Sequence, residues 1–413
     1  MTYDIDHNIV PSDWNAENAI IKVVGVGGGG CNAVNYMYRQ NIQGCSFIVC
    51  NTDAQTLQTS EVPVKIQMGS NGLGAGTDPT AGRNAALEAQ DEIARKVLDC
   101  GTQMLFITAG MGGGTGTGAS PVIAKMAKDR GILTVAVVTI PFKNEGNESQ
   151  SKAVDGIHEL EKNVDALLII NNEKLYQFFG DTLIQEAFPK ADEVLATAVR
   201  GIIEVISCPG YINVDFQDVC KMMRNSGMAL MGSGEGKGPN RLDEAVKGAF
   251  ESPLLNDFDL KTAKNVLINI TTGNNENGVK MTDLEKIDEM ISQYTGSANR
   301  FKRGIIWDND PSFGDKVRIT AIVTGFQMDL DGLGLNKDLG NLVIIDESFE
   351  WDVPLHGEEV SLPTGADTIK IGYNNSDNAK YFNFASEKKP VLCVSPGERK
   401  ADLENIPAIR RKH

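Results

Sequence analysis

The chain is predicted to be an α/β protein: a parallel-sheet domain joined by a central helix to a smaller α+β domain, followed by a linker and a terminal peptide. Three observations carry this. From Ala19 to about Thr139, short near-continuous apolar runs alternate with longer helical stretches, the pattern of a parallel sheet covered on both faces. A wide apolar stripe (Val194, Leu195, Ala198, Val199, Ile202, Ile203, Ile206) marks a helix over 192–207 buried between two bodies. After Phe326 the composition turns to Asp, Glu, Asn, Gly and Ser, with only short apolar patches.

In chain order, residues 1–18 read as a polar N-terminal extension. Strands are predicted at 21–26, 46–50, 104–109, 133–138 and 166–170, each rich in β-branched or apolar residues. Gly27-Gly28-Gly29-Gly30 follows the first strand, with a helix expected from about Asn32. A second glycine cluster, 72–78, precedes a helix carrying Arg83. A third, 112–118, follows the third strand and leads into a helix expected to hold Pro121 in its first turn. Cys208-Pro209-Gly210 stops the central helix. Beyond it, helices are expected around 218–223, 242–250 and 283–294, and strands at 265–271 and 316–324. Residues 327–400 read as a mostly disordered linker; a small β element using Val343, Phe349, Trp351 and Val353 is the alternative. The last dozen residues regain apolar and basic character, as a docking peptide on a polar tether does.

Whole-chain properties exclude several classes. At 413 residues and 41% apolar content the chain suffices for two globular domains with extensions. A net charge of −16 argues against a nucleic-acid partner, because no broad basic face is available to phosphates. Seven scattered cysteines without CxxC spacing suggest reduced thiols in a cytoplasmic protein, and the four dispersed histidines make no metal site. The N-terminus lacks an apolar signal segment, and no run is long enough to insert directly into a membrane.

The chemistry concentrates in the glycine clusters. In Gly112-Gly113-Gly114-Thr115-Gly116-Thr117-Gly118, five glycines in seven residues let backbone N–H groups approach an anion closely, with two threonine hydroxyls beside them. A helix N-terminus behind the loop adds partial positive charge. Gly25-Val26-Gly27-Gly28-Gly29-Gly30 satisfies a dinucleotide fingerprint, and Asp53 fits its acidic ribose partner, so an NAD-dependent Rossmann oxidoreductase stays open. One dinucleotide does not need the second phosphate-type loop, whereas three glycine loops at one sheet edge can surround a triphosphate. No glycine loop contains an obvious carboxylate to orient an attacking water. Asp215 and Asp218, three apart, share one face of a helix start, where helix capping is the structural alternative.

The segment 112–118 resembles the tubulin-type signature, and the order of the other motifs is similar to that of the FtsZ-type cell-division GTPases, over about 20–326 and the final dozen residues. The resemblance implies a tubulin-like fold divided into a GTP-binding domain (19–190), central helix (191–210), polymerisation domain (211–326), linker (327–400) and partner-binding peptide (401–413). It implies that Gly28, Gly29, Gly30, Cys31 and Asn32 form the first nucleotide loop. Gly74, Ala75 and Gly76 lie near the γ-phosphate, and Gly112, Gly113, Gly114, Thr115, Gly116, Thr117 and Gly118 form the phosphate loop. Glu145 meets the ribose, while Asn172, Phe188 and Asp192 make the guanine pocket. Asn213, Asp215 and Asp218 match a loop that reaches the nucleotide of the next subunit; the two aspartates would orient water there, with Mg²⁺ neutralising charge. Implied too are head-to-tail filaments of the chain with itself, assembly at a division ring, GTP/GDP exchange, and membrane-tethering and regulatory partners at the tail. Ser149 and Asn71 stand where the family places basic residues, with Lys143 or Lys152 as compensating cations. A tubulin-like scaffold that binds nucleotide without hydrolysis is the remaining alternative.

Overall fold

The run Ile21–Val26 (β1) is buried along its whole length, as is Ser46–Asn51 (β2). Both belong to a computed structural model that describes residues 19–99, 101–173, 184–207, 210–212, 214–251, 260–296, 300–308 and 313–326, with four two-residue strands between 360 and 392. The further strands of the main sheet are Val64–Gln67 (β3), Met104–Gly110 (β4), Leu133–Ile140 (β5), Ala166–Asn171 (β6), Gly210–Ile212 (β7), Gly227–Gly236 (β8), Asn265–Gly273 (β9), Arg300–Asp308 (β10) and Val317–Phe326 (β11). The helices are Gly27–Arg39 (α1), Ala54–Thr59 (α2), Pro79–Glu88 (α3), Gln90–Ile93 (α4), Thr115–Lys128 (α5), Asn147–Glu161 (α6), Ile184–Ser207 (α7), Phe216–Met223 (α8), Arg241–Phe250 (α9) and Met281–Thr295 (α10).

One eleven-stranded sheet runs in the order β3-β2-β1-β4-β5-β6-β8-β11-β9-β10-β7. From β2 to β6 every pairing is parallel, as the apolar runs predicted, and β3, not among the predicted strands, pairs in parallel with β2. The two halves share the sheet because β8 pairs in parallel with β6, from Ala166↔Gly227 to Leu168↔Ala229. Beyond it β11 is antiparallel to both β8 and β9, and β10 is parallel to β9. Consequently β1, β4, β5, β6, β8, β9 and β10 all start at one edge of the sheet and end at the other.

The central helix buries its predicted stripe. Leu195, Ala198, Val199, Ile202 and Ile203 share a core with Val23, Phe106 and Val135 of the first half and with Met231, Leu267 and Ile322 of the second. Each such side chain contributes on the order of 2 kcal/mol of apolar transfer, which is what holds a helix carrying Arg200 and Glu204 at this position.

Four expectations are corrected. The tetraglycine is not a loop before α1 but its first turn, so α1 starts at Gly27 rather than Asn32. Likewise α5 starts at Thr115, which puts Pro121 inside the helix and not in its first turn. Alpha7 reaches back to Ile184, earlier than the apolar stripe indicated. Beta8 and β10 were not predicted as strands: β8 reads Gly-Met-Ala-Leu-Met-Gly-Ser-Gly-Glu-Gly, yet α9 packs so closely on it that a Cβ at Gly234 would sit 2.2 Å from the Ala245 carbonyl oxygen. Tertiary contact overrides the turn-like composition.

Beyond residue 328 a second unit contains two short antiparallel pairs, Val360–Ser361 with Val391–Leu392 and Lys370–Ile371 with Lys380–Tyr381. Val343, Phe349, Trp351, Val353 and the terminal peptide lie outside the described residues, as does the 1–18 extension.

Candidate functional site

The three glycine clusters converge at the end of the sheet where β1 and β4 finish. Beta1 and β4 are neighbours, so α1 and α5 begin side by side: a Cβ on Gly27 would lie 2.8 Å from the Gly116 nitrogen. Gly116 is required by close approach, because its Cβ would stand 2.3 Å from the Gly110 carbonyl oxygen; Gly112 turns the chain at φ +96°. The third loop closes on the second, where a Cβ on Gly114 would strike Ala75 and Asp78, each under 3 Å away. The loop is pinned to the β2 end by Gly74 N–H donating to the Thr52 carbonyl (3.2 Å) and by the Asp53–Leu73 bridge.

This geometry suits an anion. Neither α1 nor α5 has a side-chain cap, so their first-turn N–H groups have no side-chain acceptor, whereas α3 is capped by Asp78, which accepts from Thr80 and Ala81. A Cβ at Gly28, Gly74, Gly76 or Gly113 would meet nothing within 4 Å: these backbones face open space. Gly28, Gly29 and Asn32 are exposed, but Cys31 turns into the core, where burial pushes its thiol up to about 12. Its side chain therefore offers nothing to a ligand.

The threonine hydroxyls are committed elsewhere than sequence reasoning expected. Thr117 Oγ1 accepts from the Gly112 N–H (2.9 Å), and Thr115 Oγ1 pairs with Thr52 Oγ1 (2.6 Å). These contacts brace the loop. Thr52 is the bracing residue that motif reading missed; a polar residue directly after β2 was the available signal. Gly118 continues α5, buried.

The rim continues into β5 and β6. Ser149, in the first turn of α6, brings its carbonyl oxygen to 2.9 Å from where a Gly112 Cβ would be. Lys152 does not stand free as a compensating cation: it donates to the Thr77 carbonyl (3.0 Å) and pairs with Glu148 (2.6 Å). Lys143 is exposed, and its backbone N–H donates to Glu173 (3.1 Å). Glu145 accepts from the Phe142 N–H through Oε1 (2.8 Å), leaving Oε2 for a ligand. Asn172, just beyond β6, has its Oδ1 buried with no hydrogen-bond partner among the described residues. Such an acceptor calls for an external donor. Phe188 and Asp192 are one turn apart on α7; the Phe188 side chain is outside the described set, and burial lifts the Asp192 carboxyl to about 6. Asp53 caps α2, accepting from Gln55 N–H and Thr56 hydroxyl (both 2.8 Å), so it is not a free ribose partner for NAD.

The carboxylates lie elsewhere. Asn213 is outside the described residues. Asp215 is the N-cap of α8, its Oδ1 accepting from the Asp218 N–H at 2.6 Å. Asp218 Oδ2 accepts from Lys302 Nζ at 2.8 Å, and this bond holds its carboxyl below the usual range. Lys302 is the third residue of β10, so the pair sits at the edge where the strands begin, opposite the glycine loops. Among the described residues no three His, Cys, Asp or Glu cluster as metal ligands, and no helix is long and apolar enough to cross a membrane.

Residues 20–180 match the Tubulin/FtsZ family, GTPase domain, and residues 227–327 match the FtsZ family, C-terminal domain. The cell division protein FtsZ of Pseudomonas aeruginosa is 47% identical over 402 residues, spanning 96% of this chain and 97% of the relative. That of Porphyromonas gingivalis is 45% identical over 332 residues, 78% and 71% of the two chains. Among solved structures, an FtsZ dimer from M. jannaschii superposes with a TM-score of 0.68 at 38% identity, covering 74% of this chain and 88% of the other. CetZ1 from Haloferax volcanii, at 18% identity, TM-score 0.66 and coverage of 77% and 97%, shares the fold.

Proposed function

Because this chain belongs to the tubulin/FtsZ family, we propose that it is a GTP-hydrolysing, self-polymerising cytoskeletal protein of bacterial cell division, with a reaction centre completed between successive subunits. The observation that carries the reading is the separation of cradle from carboxylates. Strands of six to nine residues span the sheet between them, roughly 20–30 Å. A side chain at Asp218 does not bridge that distance to a phosphate on Gly113 of its own protomer. A neighbour stacked head to tail brings the two together.

In that arrangement the phosphates of GTP lie on the N–H groups of 28–30 and 113–116, where the helix termini favour negative charge. Asp192 accepts the two adjacent N–H groups of guanine, Asn172 Oδ1 takes a remaining amino hydrogen, Phe188 stacks on the ring, and Glu145 Oε2 accepts from a ribose hydroxyl. From the next subunit, Asn213 places the loop. Asp215 and Asp218 accept hydrogen bonds from a water and aim its lone pair at the γ-phosphorus. The water oxygen bonds to phosphorus as the bond to the β–γ bridging oxygen breaks, giving GDP and phosphate. Mg²⁺, when bound, would neutralise phosphate charge; with no carboxylate cluster among the described residues, an ion held chiefly by phosphate oxygens and water fits.

Loss of the γ-phosphate removes contacts at the junction, so nucleotide state sets polymer lifetime. The 401–413 peptide recruits membrane-tethering and regulatory division proteins, placing the filaments in the mid-cell ring. Phosphate release per subunit is expected to rise steeply with protein concentration as polymer forms. Constant activity per subunit, down to dilutions that scatter no light, refutes the shared site. Asp218→Ala is expected to bind GTP normally and lose about 100-fold or more in turnover.

A further inference from the structure

We propose that Lys302 is a positioning residue for hydrolysis: its ion pair fixes Asp218 in one orientation before a neighbouring subunit arrives. The inference rests on the reading that Asp218 orients water for the next subunit's GTP.

The two partners are 84 residues apart in sequence and on different elements, α8 and β10, so only the fold brings them together. Asp218 is held from both ends. Its N–H donates to Asp215 Oδ1 and its Oδ2 accepts from Lys302, which leaves Oδ1 available to a water. A carboxylate that must accept from water has to be unprotonated and must not swing between rotamers; one cation on one oxygen meets both needs. The charges around it are Lys302 and Lys221 on the favourable side and Asp215 as the like charge. Arg300, at the start of β10, donates to the Lys221 carbonyl (3.2 Å) and steadies that end of α8. Directions agree on both partners: the hydrogen bond with Lys302 holds the Asp218 carboxyl down, and the same bond raises the Lys302 ammonium. Lys302 and Asp218 side chains keep 47% and 27% of their surface, so the pair is reachable by a docking subunit and is not a buried structural bridge.

The test measures kcat and KM of the full chain at saturating assembly and neutral pH for Lys302→Gln, Lys302→Arg and Asp218→Asn. Light scattering follows polymer in the same samples. For Lys302→Gln kcat is expected to fall about two- to fivefold, the range of an exposed ion pair. KM and polymer yield stay as in the wild type, and Lys302→Arg restores the wild-type profile. An unchanged kcat in Lys302→Gln overturns the assignment, as does a fall that comes with loss of assembly or with a raised KM, which would mean that Lys302 touches phosphate. Failure of arginine to rescue overturns it too. Asp218→Asn separates the layers. If that variant hydrolyses normally, the role of Asp218 itself is wrong; if it is inactive while Lys302→Gln keeps the wild-type kcat, only the role of Lys302 is.

Discussion

Replacing Gly28 with alanine is expected to move stability and binding in opposite directions. Gly28 is the second residue of α1, and its φ lies outside the left-handed region. A Cβ there would meet no atom within 4 Å, so the fold has room for it. Exchanging glycine for alanine inside a helix is worth about 0.5–1 kcal/mol, from helix propensity and a less flexible unfolded chain. The apo protein should therefore unfold at equal or slightly higher urea concentration than the wild type. The methyl group enters the space that the phosphates need. Overpacking of about 1–3 kcal/mol weakens GTP binding roughly 5- to 150-fold. Gly30→Ala is the contrast: its Cβ would stand 2.3 Å from the Thr108 carbonyl oxygen, so the backbone itself must shift and the fold weakens before any ligand is added. Equilibrium unfolding in urea without nucleotide, and nucleotide titration at concentrations below assembly, read the two effects separately. A Gly28→Ala protein that binds GTP like the wild type refutes the placement of the phosphates at the α1 terminus.

Two further outcomes follow from the geometry. Burial lifts the Asp192 carboxyl to about 6, and guanine requires its ionised form, so GTP affinity should fall as pH drops through that value. The sign for stability is opposite, because a raised carboxyl penalises the folded state above that pH and the penalty disappears as it protonates. Asp192→Asn should remove the pH step and weaken GTP about 10- to 100-fold, as read by fluorescence titration. Thr115→Val strands the buried Thr52 hydroxyl that now lies 2.6 Å from Thr115 Oγ1; denaturation should show a loss of about 1–3 kcal/mol, much of it recovered in the Thr52→Val, Thr115→Val double variant.

The sequence by itself determined the parallel half of the sheet, because runs such as 104–109 and 133–138 are apolar on both faces and only a doubly covered strand accommodates that. It determined also the apolar stripe of the central helix and the positions of all three glycine clusters, since absence of a side chain is visible without coordinates. Tertiary structure alone decided that the tetraglycine is helical, that β8 and β10 are strands, and that one sheet unites both halves through Ala166–Leu168. Those outcomes depend on partners distant in sequence: a carbonyl 2.2 Å from a would-be Cβ outweighs the intrinsic preference of Gly234. The commitments of Thr115, Thr117 and Lys152, and the Lys302–Asp218 pair, were equally invisible, because a side chain's partner is set by folding and not by spacing. Most consequential is the placement of glycine loops and α8 carboxylates at opposite sheet edges, which follows from strand direction, and strand direction exists only once the chain has paired with itself.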